Sequence, residues 1–168
     1  MALFLSMRQS RVQNDALNAV ANSVLNEPER ELFGALMSLR SGSDNERNSL
    51  AHGRIGESPE IAEGVIWIDS FDYLQYDLRV EAENKVSDEA MQWFRERMYV
   101  YELADLERIA RDAEALYHSI RSFTGYLNSD DAAWRASRYP ELCDEPNVQR
   151  ALRHLREAAR KKNESAQK

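Results

Sequence analysis

The sequence contains few of the residues that build covalently linked or metal-held cores. Among 168 residues there is one cysteine, Cys143, and the three histidines are far apart along the chain. A single cysteine excludes an internal disulfide, and no second cysteine is present to complete a zinc knuckle. These absences favour a reducing, cytoplasmic setting and predict no metal site.

Long apolar runs and cofactor-binding motifs are missing as well. The N-terminal segment MALFLSMRQSR has a very short apolar run with no positive charge before it, which is too short for a secretory signal or a membrane span. There is no phosphate-cradling glycine loop, no HExxH and no GxSxG, so kinase, zinc-protease and serine-hydrolase activities have no support. We expect a protein without membrane contact and without a cofactor.

Positive charge is in deficit overall but concentrated at one end. The formal net charge is -7, so the chain as a whole should repel nucleic acid at long range. From Val148 onward, however, there are seven Lys and Arg residues against two Asp and Glu, which leaves -12 for the remainder. This basic end is either a solvated terminus or an electrostatic arm for RNA or for an acidic partner.

Apolar residues recur at helical spacing in the N-terminal third of the chain. One stripe runs through Met7–Leu25. A second helix is predicted to begin at Asn26, because Pro28 suits a first turn and Glu29 lies three residues on, as in a capping box. Gly42 weakens the pattern, since glycine costs about 1 kcal/mol relative to alanine inside a helix. We expect the helix to kink or end there, with a new one starting just after it.

The period then changes from helix to strand. The segment GVIWID at 64–69 is short, apolar and β-branched, and in the following YLQYDLRVE, Leu74, Tyr76, Leu78 and Val80 alternate with polar residues. The two segments predict an antiparallel β-hairpin over about 64–82.

Helical spacing returns in the C-terminal half. Ser87 is a plausible N-cap, and a long helix is predicted over roughly Val100–Leu127. A terminal amphipathic helix has an apolar face formed by Val148, Ala151, Leu152, Leu155 and Ala159. The predicted fold is mainly α: an up-and-down helical bundle with an inserted β-hairpin, spanning 1–129, and a C-terminal helical extension over 130–168.

One polar cluster stands out, in the segment SDNERNSLAHGRIG. Asn48 and His52 are four residues apart, so they lie on one face of a helix, and the long side chain of Arg47 can swing toward the same groove. An imidazole can exchange a proton near neutral pH, and a guanidinium binds phosphate oxygens in a fork. Together they could cleave RNA without a metal: a base removes the 2′-hydroxyl proton and a cation stabilises the charge developing on phosphorus.

An ordinary helix end explains the same cluster. In that interpretation His52 interacts with the helix C-terminus, Gly53 is the C-terminal cap, and Arg47 pairs with Glu46 or Asp44. Similar spacing occurs elsewhere, because the segment from Arg111 to His118 also has an Arg followed by a His within a dense apolar stripe. Spacing alone therefore leaves both interpretations open.

The segment RNSLAHG resembles the signature of the HEPN superfamily, the higher eukaryote and prokaryote nucleotide-binding domains. These are small helical bundles with an Arg, often followed directly by Asn, and a His that is separated from the Arg by four to six residues. Arg47, Asn48 and His52 match this pattern, and Ala51 and Gly53 match the AHG ending of many bacterial members.

The resemblance implies a function for these residues. Members with an intact motif are often metal-independent ribonucleases, many of them toxins or defence effectors, in which a dimer cleft collects the Arg and His of both subunits. By this resemblance His52 is the acid/base, Arg47 the phosphate binder and Asn48 the orienting group. It also implies a homodimer, an RNA substrate and an antitoxin or other protein partner. The alternative within the same fold is a non-catalytic dimerisation or nucleotide-binding module.

Overall fold

A computed structural model describes residues 10–59, 61 and 63–166. The described part is mainly helical with one small antiparallel sheet and a C-terminal helix, which confirms the predicted fold class. The predicted helix start at Met7 lies outside the described residues. In chain order the elements are α1 (Ser10–Val24), α2 (Glu27–His52), β1 (Gly53–Gly56), β2 (Gly64–Asp69), α3 (Ser70–Glu83), α4 (Asp88–Arg95), β3 (Tyr99–Glu102), α5 (Leu103–Asn128), α6 (Ala132–Asp144) and α7 (Pro146–Ala166).

The described residues form two compact units. One contains residues 10–40 and 118–166, and the other contains residues 41–117. Helices α6 and α7 belong to the same unit as α1 and the first part of α2. The predicted division into a domain over 1–129 and an extension over 130–168 stays a prediction.

The start of α2 follows the sequence prediction. The backbone N–H of Asn26 donates to Glu29 Oε2 at 3.1 Å, and the N–H of Glu29 donates to Asn26 Oδ1 at 3.0 Å. This reciprocal pair is the predicted capping box, and it satisfies two N–H groups that a helix start otherwise leaves without partners.

The sequence pattern predicted that the helix kinks or ends near Gly42, and of these the helix end is wrong. Helix α2 is continuous from Glu27 to His52, so no new helix begins after the glycine. A helical segment flanks Gly42 on either side, and the cost of one glycine, about 1 kcal/mol, is too small to break a helix that continues in both directions.

The described residues of the first unit form a core of helices that includes a buried carboxylate. Leu32 and Val148 are fully buried, and Ala151 and Leu152 of the predicted α7 face are buried with them. Ala159, which the sequence pattern assigned to that face, is exposed, as is every described residue of α7 from 156 to 165. The apolar face of α7 therefore ends about one turn before the position that the sequence predicted.

The buried carboxylate of the first unit belongs to Glu29, which is 5% exposed. Its Oε1 accepts a hydrogen bond from Tyr126 Oη at 2.9 Å and a charged hydrogen bond from Arg135 Nη2 at 2.8 Å. A buried charge is tolerated when it is paired and hydrogen-bonded in this way. The capping residue of α2 thus also joins α2 to α5 and α6.

The second unit contains a three-stranded antiparallel sheet in the order β1-β2-β3. The inserted hairpin is formed by β1 and β2, with Gly53 opposite Asp69, and β2 pairs on its other edge with β3. Strand β2 is therefore central, and its Trp67 and Ile68 are buried. The GVIWID strand is confirmed.

The second predicted strand is wrong, because residues 70–83 form helix α3. Asp69 accepts a hydrogen bond from the N–H of Phe71 at 2.8 Å and so caps the helix directly after β2. Tyr73 and Tyr76 follow at helical spacing and pack against Phe94 of α4, with ring centroids 6.2 and 4.3 Å from it. The alternating apolar residues were compatible with both periods, and the cap and this packing select the helix.

Candidate active site at the end of helix α2

The three candidate residues lie in the last turns of α2. Arg47, Asn48 and His52 are all exposed, and His52 is the last residue of the helix. Their side chains are therefore open to solvent and to any ligand.

The chain is held at His52 by a contact from the end of β2. Ser70, the first residue of α3, donates a hydrogen bond from its hydroxyl to the backbone carbonyl of His52. The last carbonyls of a helix lack partners within the helix, and this hydroxyl supplies one. The backbone that carries the imidazole is thus tied to the junction between β2 and α3.

Gly53 is needed at this junction for a reason that the sequence did not indicate. It directly follows the last residue of α2 and is the first residue of β1, and no described glycine has a positive φ, so Gly53 does not cap the helix in a left-handed conformation. A Cβ at Gly53 would lie 1.8 Å from Nε1 and 2.0 Å from Cε2 of Trp67. The glycine is required because the indole of Trp67 occupies the space where a side chain would be.

Trp67 is fixed in this position by its own neighbours. It is 6% exposed, and its ring lies 5.7 Å from the ring of Tyr99 and 6.4 Å from that of Tyr101, measured between centroids. Its buried Nε1 has no hydrogen-bond acceptor among the described residues. An unpaired buried donor costs about 1–3 kcal/mol, so this packing is retained at some expense of stability.

The carboxylates near the motif have other partners. Glu46 Oε1 lies 3.6 Å from Arg108 Nη1, and Arg108 also lies 3.5 Å from Asp112 on its own helix. In the part of the chain that the structure describes, no ion pair engages Arg47 or His52. The predicted pairing of Arg47 with Glu46 is therefore not observed.

The residues that follow the motif add a second cation and exposed apolar surface. The guanidinium of Arg54 lies 4.3 Å from the ring centroid of Tyr73, a cation–π geometry. Ile55 and Phe71 are each 64% exposed, and Tyr99 is 61% exposed. Ile55 and Tyr99 both lie opposite Trp67 in the register of the sheet. Exposed apolar side chains therefore lie on two strands of the sheet, at Ile55 and Tyr99, and in the first turn of α3, at Phe71.

The unit that carries the motif is strongly acidic. Residues 41–117 contain eight Lys and Arg against eighteen Asp and Glu, a net charge of -10, which leaves +3 for the rest of the chain. Any phosphate bound at Arg47 would thus be held against a repulsive long-range field.

Cys143 is the sole thiol, and its surroundings do not activate it. Burial raises its pKa, and the charge of Asp144 raises it further, while a hydrogen bond with Tyr139 acts in the opposite direction. A thiol with a raised pKa is a poor nucleophile near neutral pH, because the thiolate is the reactive form.

Two kinds of feature are absent from the described residues, a metal-binding cluster and a membrane-spanning helix. These residues include no group of three or more His, Cys, Asp or Glu side chains that could hold a metal ion. None of the described helices is both long and apolar enough to cross a membrane.

Sequence reasoning missed two features of the site. The role of Ser70 and the packing of Trp67 on Gly53 both depend on β1 pairing with β2, and β1 itself has no recognisable strand pattern. The Asp69 cap was the available signal, because it marks the end of β2 and the start of α3.

No protein-family model, curated protein or solved structure matches this chain.

Proposed function

We propose that this chain is a HEPN-like, metal-independent endoribonuclease that acts as a homodimer. His52 is the general acid/base, Arg47 binds the scissile phosphate, and Asn48 orients one of them or holds a ribose or phosphate oxygen. Because ribonucleases that share this motif are often toxins or defence effectors, an antitoxin or similar protein partner belongs to the same proposal.

The observation that carries the proposal is the state of Arg47. Its side chain is exposed and forms no ion pair with a described residue, while the adjacent Glu46 is engaged by Arg108. A guanidinium that only stabilised the helix would be expected to pair with a nearby carboxylate. An exposed guanidinium that pairs with no described carboxylate, five residues before an exposed imidazole, is available to a phosphate.

Dimerisation is supported by the exposed apolar side chains near the motif. One chain supplies a single Arg and a single His, and a two-fold dimer would supply two of each. Ile55, Phe71 and Tyr99 lie in the unit that contains the motif and are more than half exposed. Exposed aromatic and aliphatic side chains of this kind are typical of the centre of a protein interface.

A second candidate function is favoured by charge. The net charge of -10 on residues 41–117 opposes RNA binding in that unit. It favours a non-catalytic HEPN-like module in which the motif stabilises a dimer or binds a nucleotide, whose smaller charge is repelled less.

The test is RNA cleavage by the purified full chain in the presence of a chelator. We expect His52→Ala to lower the rate by roughly 10²–10⁴-fold, the usual contribution of a general acid/base. Arg47→Ala should lower it by roughly 10²–10³-fold, as for other groups that stabilise developing charge. His118→Ala and Arg111→Ala are matched controls, because both residues are exposed and helical and share the loose Arg-to-His spacing.

The controls should cleave RNA at the wild-type rate. Equal cleavage by wild type and His52→Ala would overturn the proposal, because it would assign the activity to another group or to a contaminant. Absence of cleavage by the wild type, together with a homodimer in sedimentation equilibrium, would favour the non-catalytic module instead.

A further inference from the structure

Helix α7 has an exposed basic face. Arg150 and Arg153 lie opposite the buried Val148, Ala151 and Leu152, as the 100° per residue of an α-helix requires. Farther along the helix, Arg160 and Lys161 are exposed and lie on the same side as Arg150 and Arg153, whereas Lys162 lies on the side of the buried residues. From Arg150 to Lys161 the basic face extends over about 17 Å.

Most of these cations are not neutralised by neighbours. In the described part of the chain, ion pairs engage only two basic side chains of α7, Arg156 with Glu31 and Arg160 with Glu164. Residues 146–166 contain six Lys and Arg against two Asp and Glu, a net charge of +4. This is the opposite sign to the unit that carries the candidate catalytic residues.

The basic face lacks the apolar residues of a protein interface. No large hydrophobic side chain of α7 is exposed, and the described residues from 156 to 165 are exposed and polar or small. Protein interfaces have an apolar centre surrounded by a polar rim, whereas nucleic-acid interfaces are more polar and much more positively charged. The composition therefore favours a phosphate backbone over an acidic protein.

We propose that the basic face of α7 binds the phosphate backbone of RNA. The identity of the ligand rests on the proposed ribonuclease function. The proposal assigns the electrostatic part of substrate binding to the first unit, whose net charge is +3, rather than to the second unit, whose net charge is -10. Three cations of this face without a carboxylate partner among the described residues, Arg150, Arg153 and Lys161, supply this binding.

The salt dependence of binding gives the magnitude. Each phosphate contact contributes about 0.7 to the slope of log K against log salt for single strands, so three contacts predict a slope of about -2. Replacing Arg153 and Lys161 with glutamine should reduce the slope to about -0.7 and weaken binding roughly tenfold at about 150 mM salt.

The experiment measures binding of a fluorescein-labelled oligouridylate by fluorescence anisotropy between 50 and about 300 mM salt, a range in which such slopes are resolved. The full chain carries His52→Ala so that the RNA remains intact. The matched control is Lys85→Gln with Arg95→Gln, which removes the same charge from two exposed residues of the acidic unit and should leave the slope unchanged.

Three outcomes would overturn the inference: an unchanged slope in the Arg153 and Lys161 variant, an equal loss in the control, or equal competition by polyglutamate at the same charge concentration. The last would indicate an acidic protein as the partner. Failure of the proposed function is distinguishable, because it appears as wild-type cleavage that is absent or independent of His52. The slope depends only on binding.

Discussion

Replacing Gly53 with alanine tests the packing that holds the end of the motif. The added Cβ would lie 1.8 Å from Nε1 and 2.6 Å from Cδ1 of Trp67, far inside van der Waals contact. Trp67 is buried in the central strand between Tyr99 and Tyr101, so the indole cannot move without disturbing the sheet. Overpacking of this kind costs about 1–3 kcal/mol.

The backbone itself does not oppose the substitution. No described glycine has a positive φ, so alanine can adopt the conformation of Gly53 without strain, and the expected loss is steric. Gly42→Ala is the matched control, because Gly42 lies inside α2 and a Cβ there would meet nothing within 4 Å. We expect Gly42→Ala to raise the free energy of unfolding by about 0.5–1 kcal/mol, the opposite sign to Gly53→Ala.

A double-mutant cycle isolates the cause. Trp67→Leu removes the atoms that the Cβ would meet, and it also removes the unpaired Nε1, which offsets part of the cost of the cavity. In that background Gly53→Ala should be nearly neutral, with a coupling of about 1–3 kcal/mol. Free energies come from urea unfolding followed by far-UV circular dichroism, since tryptophan fluorescence changes with the substitution. Additive effects, or a stabilising Gly53→Ala in the wild-type background, would refute this account of the glycine.

Two further predictions concern carboxylates of the first unit, Glu29 and Glu31. Glu29→Ala should lower the free energy of unfolding by about 2–4 kcal/mol, because it removes a capping box and leaves the buried hydroxyl of Tyr126 without its acceptor. In the same urea assay the exposed Glu164→Ala should cost less than about 0.5 kcal/mol, and equal losses would contradict a buried cluster. The hydrogen bond from Arg156 lowers the pKa of Glu31 below 4.5, so the stability it contributes is present above pH 4.5 and is lost as the pH falls through the lowered value. Arg156→Gln should reduce the difference between the urea midpoints of unfolding at neutral and at acidic pH. An unchanged difference would show that the ion pair between Arg156 and Glu31 does not cause this pH dependence.

Several elements of the fold were predictable because their causes are local. The capping box at Asn26 and Glu29, the Ser87 cap of α4, and the apolar face of Val148, Ala151 and Leu152 each depend on residues within one or two helical turns. Such features act through hydrogen bonds and periodicity that a linear sequence displays directly.

The strands were less predictable, because a segment becomes a strand only when it pairs with another strand. The sequence Gly53–Gly56 has little strand character, and it becomes β1 only because it lies opposite the apolar β2. Conversely, the alternating residues of 74–80 form α3, because a helix capped by Asp69 places Tyr76 against Phe94. Strand propensity depends strongly on context, since it reflects packing against neighbours that are distant in sequence.

By itself the sequence determined the mainly helical class, the helix that carries Arg47, Asn48 and His52, and the position of His52 beside a glycine. Only the tertiary structure decided why that glycine is needed, through Trp67, and which carboxylate partner Arg108 takes, through Glu46. Both depend on contacts between residues far apart along the chain. A local pattern can place a side chain on a helix, but the charges and atoms that surround it are brought there by the fold.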